Sequence, residues 1–120
     1  MRFMMLLPAP AEVLETAVPH PDMELVGAMH KYNEEMTKAG VLLAAEGLQP
    51  PSRGTRIRVS GGQRIITDGP FSEAKEVIAG FWIIEVRSKE EAIEWANRCP
   101  LPECGVIEIR EVYESCVPNA

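Results

Sequence analysis

The residues best suited to chemistry lie between positions 67 and 76, where a tight turn, an aromatic and several ionisable side chains follow one another. Asp68 opens the turn, because its carboxylate can accept hydrogen bonds from amides two or three residues on, and Gly69-Pro70 interrupts the backbone. A carboxylate held this way beside Phe71 could act as a general base or orient a ligand. An ordinary structural corner has the same composition, with Asp68 holding the turn and Phe71 anchored in the core. Both roles stay open.

Lys75 and Glu76 follow this turn closely. A lysine beside carboxylates can bind an anionic ligand or lower the pKa of a neighbouring carboxyl group. The alternative is an exposed cluster of ion pairs, worth about 0–1 kcal/mol. Both residues are therefore candidates for ligand binding.

His30 is a second candidate for acid–base chemistry. Asn33 and Glu34 follow it by three and four residues, which places all three side chains on one flank of a helix. Histidine is suited to proton transfer near neutral pH. The alternative is a partly exposed histidine paired with Glu34.

Three further residues are candidates for lining a pocket. Glu46 ends an apolar strand, and a carboxylate at the mouth of a sheet needs partners if it is buried. Tyr32 and Trp82 carry rings that suit either a binding pocket or the core. Their helix and strand spacing is compatible with both places.

Composition excludes several classes of function. The chain has 120 residues, of which 46% are hydrophobic and 25% charged, which predicts one soluble globular domain over residues 1–120. The net charge of −6 disfavours direct binding to nucleic acid or to anionic membranes. No apolar run has the length of a membrane span.

Cysteine and histidine usage gives the expected compartment and cofactors. Three cysteines without a Cys-x-x-Cys pair argue against a disulfide framework and against structural zinc. We therefore expect a cytoplasmic protein. Two histidines without metal-ligand spacing predict no metal site, and the absence of a glycine-rich dinucleotide signature predicts no cofactor of that kind.

Periodicity and turn signals predict the elements that position these residues. In chain order they are a strand at 3–7, a helix capped by Asp22 and ended by Gly40, a strand at 41–45, a hairpin at 55–67 turning at Gly61-Gly62, a strand at 81–86, a helix capped by Ser88 and ended by Pro100, and a strand at 106–113. Without the hairpin this is the split β-α-β pattern of ferredoxin-like α+β folds.

The same pattern predicts a dimer. The most apolar strands, at 3–7 and 81–86, would be central, and both helices would cover one face of the sheet. The other face would expose apolar side chains in a monomer, which usually marks an interface. We therefore expect a two-fold homodimer.

Several motifs together resemble one family over nearly the whole chain. They are Asp68-Gly69-Pro70-Phe71 followed by Glu73, Lys75 and Glu76; Gly40-Val41 with Glu46-Gly47-Leu48; Gly80-Phe81-Trp82; Glu91-Ala92-Ile93-Glu94-Trp95-Ala96 with Arg98-Cys99-Pro100; and Ile107-Glu108-Ile109-Arg110-Glu111-Val112. In this combination the chain resembles the YCII-related superfamily, in its DGPF branch. The resemblance implies a ferredoxin-like dimeric α+β barrel with an inserted hairpin.

The resemblance also suggests functions. YCII-type relatives carry a histidine and an aspartate proposed as an active pair, with the histidine on the first helix, where His30 lies at a comparable place. Genes of the DGPF branch often neighbour those of extracytoplasmic-function sigma factors. Two functions follow: small-molecule binding with acid–base chemistry in a cleft near the DGPF turn, or a non-catalytic accessory module that partners such a regulator.

Overall fold

A computed structural model of the chain describes residues 1–16, 22–71 and 75–114. Ser72, Glu73 and Cys116 lie outside this part of the chain. The elements are β1 (Arg2–Pro10), α1 (Ala11–Thr16), α2 (Met23–Lys38), β2 (Leu42–Gly47), a short 3-10 turn (Pro51–Arg53), β3 (Thr55–Ser60), β4 (Gln63–Asp68), β5 (Glu76–Glu85), α3 (Lys89–Asn97) and β6 (Glu108–Glu111).

The strands form two antiparallel sheets. The larger has the order β2-β5-β1-β6, and the smaller contains β3 and β4 alone. The prediction that the two most apolar strands are central is confirmed, since β5 and β1 occupy the middle. The architecture is α+β and is compatible with a ferredoxin-like fold.

Local side-chain bonds begin both long helices where the sequence predicts them. Asp22 Oδ1 accepts hydrogen bonds from the amides of Glu24 and Leu25, at 3.0 and 3.3 Å. Ser88 Oγ accepts from the Glu91 amide at 3.1 Å. The Glu91 carboxylate reaches one residue further back than in a standard capping box, to the amide of Arg87 at 3.1 Å.

Several strand boundaries differ from those predicted. β1 continues through Pro8 and Pro10, beyond the predicted end at residue 7. Its neighbour β6 pairs only with residues 3–6, so both prolines lie where β1 has β5 beside it and no β6 partner, and a missing N–H is tolerated there. The register shifts between Leu7 and Pro8. β5 begins earlier than predicted, at Glu76, β6 is shorter, and α1 was not predicted.

Alternation along the strands separates two faces of the large sheet. Phe3, Met5 and Ile84 point toward the helices and are buried with Met36 of α2. On the opposite face, which we call the open face, lie the half-buried side chains of Met4, Leu6, Phe81 and Ile83. None of the described helices is long and apolar enough to cross a membrane.

Tyr32 links α2 to α3 and to strand β5 in the core. It is 3% exposed, and its hydroxyl donates to the Trp95 carbonyl oxygen at 2.6 Å. Its ring lies edge-on to Trp82, with centroids 5.7 Å apart. Of the two roles left open for Tyr32, the structure places it in the core.

Burial perturbs two acidic groups in this core. Desolvation raises the pKa of the Tyr32 phenol well above its usual range, with a smaller contribution in the same direction from Cys99. Burial raises the pKa of the Cys99 thiol to about 11. Both groups therefore keep their protons in the folded protein at pH values where the unfolded chain releases them.

We expect the free energy of unfolding to fall as the pH rises above about 9, first through Cys99 and above about 10 also through Tyr32, because the unfolded state then binds fewer protons than the folded state. Tyr32→Phe should cost about 0.5–1.5 kcal/mol at neutral pH, because it removes the hydrogen bond from the hydroxyl to the Trp95 carbonyl, which still accepts from the Arg98 amide at 3.1 Å. The difference in free energy of unfolding between wild type and Tyr32→Phe should narrow above about pH 10. Urea titrations across pH measure this.

Tyr113→Phe is the matched control, since that residue is 85% exposed. It should follow the wild-type profile throughout. If the difference in free energy of unfolding between wild type and Tyr32→Phe stays the same at alkaline pH, the raised pKa of Tyr32 is contradicted.

Candidate functional site

A cavity of about 260 Å³ opens between α2 and one end of the large sheet. It lies on the helix-covered side, beyond the buried core. Its walls come from one residue of β1, two of α2, the end of β2 and the facing middle of β5: Leu7, Met29, Asn33, Ala45, Glu46, Gly47, Ala79, Gly80, Phe81 and Trp82. The lining is mostly apolar, with Asn33 and Glu46 as its polar side chains.

The orientation of Asn33 follows from its bond to Trp82. Trp82 Nε1 lies 2.7 Å from Asn33 Oδ1. An indole N–H can only donate, so the amide oxygen must face it and the amide nitrogen must point elsewhere. That nitrogen has no hydrogen bond to another described residue, so Asn33, which lines the cavity, keeps two N–H donors that the described residues do not use.

Glu46 supplies the acceptor at the rim. It is exposed near the end of β2, opposite Phe81 of β5, and its carboxylate has no bond to another described residue. β2 and β5 approach closely here: a Cβ added to Gly80 would lie 3.0 Å from the Glu46 carbonyl oxygen. Glycine at position 80 therefore lets the β2 backbone approach β5 closely along this wall of the cavity.

His30 lies outside this cavity. Its side chain is 78% exposed, and Nε2 lies 2.8 Å from Glu34 Oε1 one helical turn on. The geometry is that of the exposed pair considered as the alternative for this residue. His30, Asn33 and Glu34 border a shallow neighbouring groove of α2.

Asp68 and Phe71 form a corner at the base of the β3–β4 hairpin. Asp68 Oδ1 accepts a hydrogen bond from Thr55 Oγ1 at 2.8 Å, and the Gly69 amide donates to the Gly54 carbonyl at 2.8 Å. The Gly69–Pro70 peptide is cis. Phe71 is half-buried, and the Arg56 guanidinium lies 3.9 Å from its ring centroid. These contacts hold the hairpin base, and neither Asp68 nor Phe71 lines the cavity.

Lys75 and Glu76 are exposed at the start of β5. The Lys75 carbonyl accepts from the Ala11 amide at 3.1 Å, which ties α1 to this strand. Of the eight predicted site residues, the structure brings Glu46 and Trp82 together at one cavity. Tyr32 packs directly against Trp82, and the other five lie elsewhere.

Asn33 is the site residue that the sequence analysis missed as a binding group. One signal was available: it is a polar side chain next to Tyr32 on the apolar stripe of the helix. A half-buried amide on such a stripe needs a partner, and here the partner is Trp82. The described residues contain no cluster of three or more histidine, cysteine or acidic side chains able to hold a metal ion.

Comparison with known proteins gives the same family as the motifs. The model of the YCII-related domain matches residues 1–115. The chain belongs to the YCII-related family. It is similar to an uncharacterized protein of Rhizobium meliloti (strain 1021), with 35% identity over 89 residues, which cover 72% of this chain and 68% of that protein.

The corner at Gly69 yields a stability prediction. A Cβ at this position would overlap the Pro51 carbonyl oxygen and press on the Phe71 ring. Gly69→Ala should therefore destabilise the protein by roughly 1–3 kcal/mol. Gly27→Ala is the control, since nothing lies within 4 Å of the added atom on α2. That change should be neutral or stabilising by up to about 1 kcal/mol.

Thermal unfolding of both variants checks this difference. Equal melting temperatures for the two would contradict the tight packing of Gly69 against residue 51.

Proposed function

We propose that this YCII-related protein binds a small molecule in the cavity between α2 and the sheet. The observation that carries the proposal is the Trp82–Asn33 hydrogen bond, which fixes a two-donor amide in a mostly apolar cavity. Specific small-molecule sites combine apolar walls with a few oriented polar groups. The Glu46 carboxylate adds an acceptor at the rim.

The cavity walls, Asn33 and Glu46 together indicate which kind of ligand would fit. The cavity lies just below the usual range of about 300–1,000 Å³, which favours a small ligand with an apolar body. Asn33 would bind an oxygen acceptor on it, such as a carbonyl or hydroxyl group. Glu46 would bind a donor or a positive charge.

Acid–base chemistry is the reaction class we propose for this cavity, with Glu46 as its ionisable group. Catalytic roles for Asp68 and His30 stay predictions, as does the sigma-factor partnership. We assign the chain to the DGPF branch on the Asp68-Gly69-Pro70-Phe71 motif.

Substitution of Asn33 tests the binding site. Asn33→Asp keeps an oxygen for Trp82 Nε1 and replaces the amide donors by an acceptor. Fragments that wild type binds through an acceptor group should bind this variant roughly tenfold more weakly or worse. The hydrogen bond from the Asn33 side-chain amide is lost, and the new carboxylate oxygen faces the acceptor oxygen of the fragment. Ligand-observed NMR with a library of single-ring carbonyl and hydroxyl compounds measures the affinities.

Asn97→Asp makes the same change at an exposed position on α3 and serves as the control. It should bind as wild type does. Failure of every such fragment to bind wild type, or equal binding by Asn33→Asp, would overturn the proposal.

We further propose that the protein is a homodimer joined through the open face, as a dimeric α+β barrel. The support is the row of half-buried apolar side chains of Met4, Leu6, Phe81 and Ile83, which alternate along the central strands with the buried side chains of the core. Apolar faces of this kind mark interfaces.

Leu6→Glu should disrupt this dimer, because it would place two charges in an apolar interface. Light scattering at micromolar concentration should give a dimer mass for wild type and a monomer mass for the variant. Ile93→Glu, which changes an exposed residue of α3, should stay dimeric. A monomeric wild type would contradict the proposal.

A further inference from the structure

The β3–β4 hairpin, residues 55–68, forms an arm that buries little of its surface against the rest of the described chain. Its strands pair with one another and with no third strand of the described chain. Every residue of both strands is exposed. A two-stranded hairpin alone is at best marginally stable in water, so packing against something else would stabilise it.

The register of the arm places three of its four large aliphatic side chains on one face. Ile57 lies opposite Ile66, and Val59 lies opposite Arg64. The exposed fractions of Ile57, Val59 and Ile66 are 61, 64 and 69%. We call this set, with Arg64, the aliphatic face of the arm.

The opposite face of the arm is turned toward its own chain. Side chains alternate along a strand, so Arg56 projects from the face opposite Ile57. Its guanidinium lies over the Phe71 ring at the hairpin base. The aliphatic face therefore looks away from Phe71 and is available to another molecule.

We propose that the aliphatic face of the arm packs on a second copy of this chain. The arm, residues 55–68, carries three arginines and one aspartate, a net charge of +2. The remaining nine basic and seventeen acidic residues carry −8. The arm of one copy is thus complementary in charge to the body of another, which favours and orients their association.

Nucleic acid is a poorer occupant. Single strands stack on aromatic side chains, and the aliphatic face has none. Phosphates would also meet the −8 charge of the rest of the chain.

The inference rests on the proposed homodimer and is tested separately from it. The double variant Ile57→Thr, Ile66→Thr removes apolar surface and keeps β-branched residues that favour strands. Sedimentation velocity over a concentration series should show its dimer dissociating roughly tenfold more readily or worse. Ile65→Thr, on the opposite face of the arm, is the matched control and should dissociate as wild type does.

The outcomes distinguish a failure of the homodimer proposal from a failure of the arm proposal. A monomeric wild type overturns both. A wild-type dimer that Leu6→Glu disrupts and the arm variant does not leaves the open-face dimer standing and overturns the role of the arm.

Amide hydrogen exchange of wild type keeps the test decisive if the double variant fails to fold. Protection of residues 57–66 should increase as concentration rises through the dimer dissociation range. Unchanged protection there, or protection that appears only when duplex DNA is added, would overturn the proposal.

Discussion

The hydrogen bond from Trp82 to Asn33 joins a central strand to the long helix at the point where the core ends and the cavity begins. On the core side, the Trp82 ring packs against Tyr32, whose hydroxyl binds the Trp95 carbonyl of α3. On the cavity side, the same bond commits the Asn33 oxygen and leaves its nitrogen as a donor. The buried Trp82 indole thus connects β5 to α2 and, through Tyr32, to α3, and it sets the polarity of the candidate site.

The most recognisable motif and the candidate site occupy different parts of the molecule. Asp68, Gly69 and Phe71 bond to or pack against the segment around Gly54 and Thr55, and so hold the base of the hairpin arm. Glu46 and Trp82 belong to the sheet and line the cavity. A motif can therefore identify a family through the backbone geometry it imposes, while binding groups lie on the rigid elements nearby.

Local features of the fold were predictable from sequence because their causes lie within a few residues. The Asp22 and Ser88 caps and the Gly61-Gly62 turn, with φ of 58° and 78°, depend only on neighbouring backbone groups. Strand β1 can continue through Pro8 because β6 begins only at Glu108, opposite Leu6, which depends on pairing across the sheet. The role of Asn33 depends on a contact 49 residues away, which helix spacing alone does not reveal.

The side-chain resonances of Trp82 and Asn33 test the binding site most directly. The chain has two tryptophans, so the second, Trp95, is an internal reference. If a fragment binds in the cavity, its addition should shift the Trp82 indole N–H and the Asn33 amide N–H resonances in a ¹H–¹⁵N spectrum and leave the Trp95 indole nearly unmoved. Binding that shifts Trp95 or the hairpin amides and leaves Trp82 and Asn33 in place would contradict this site.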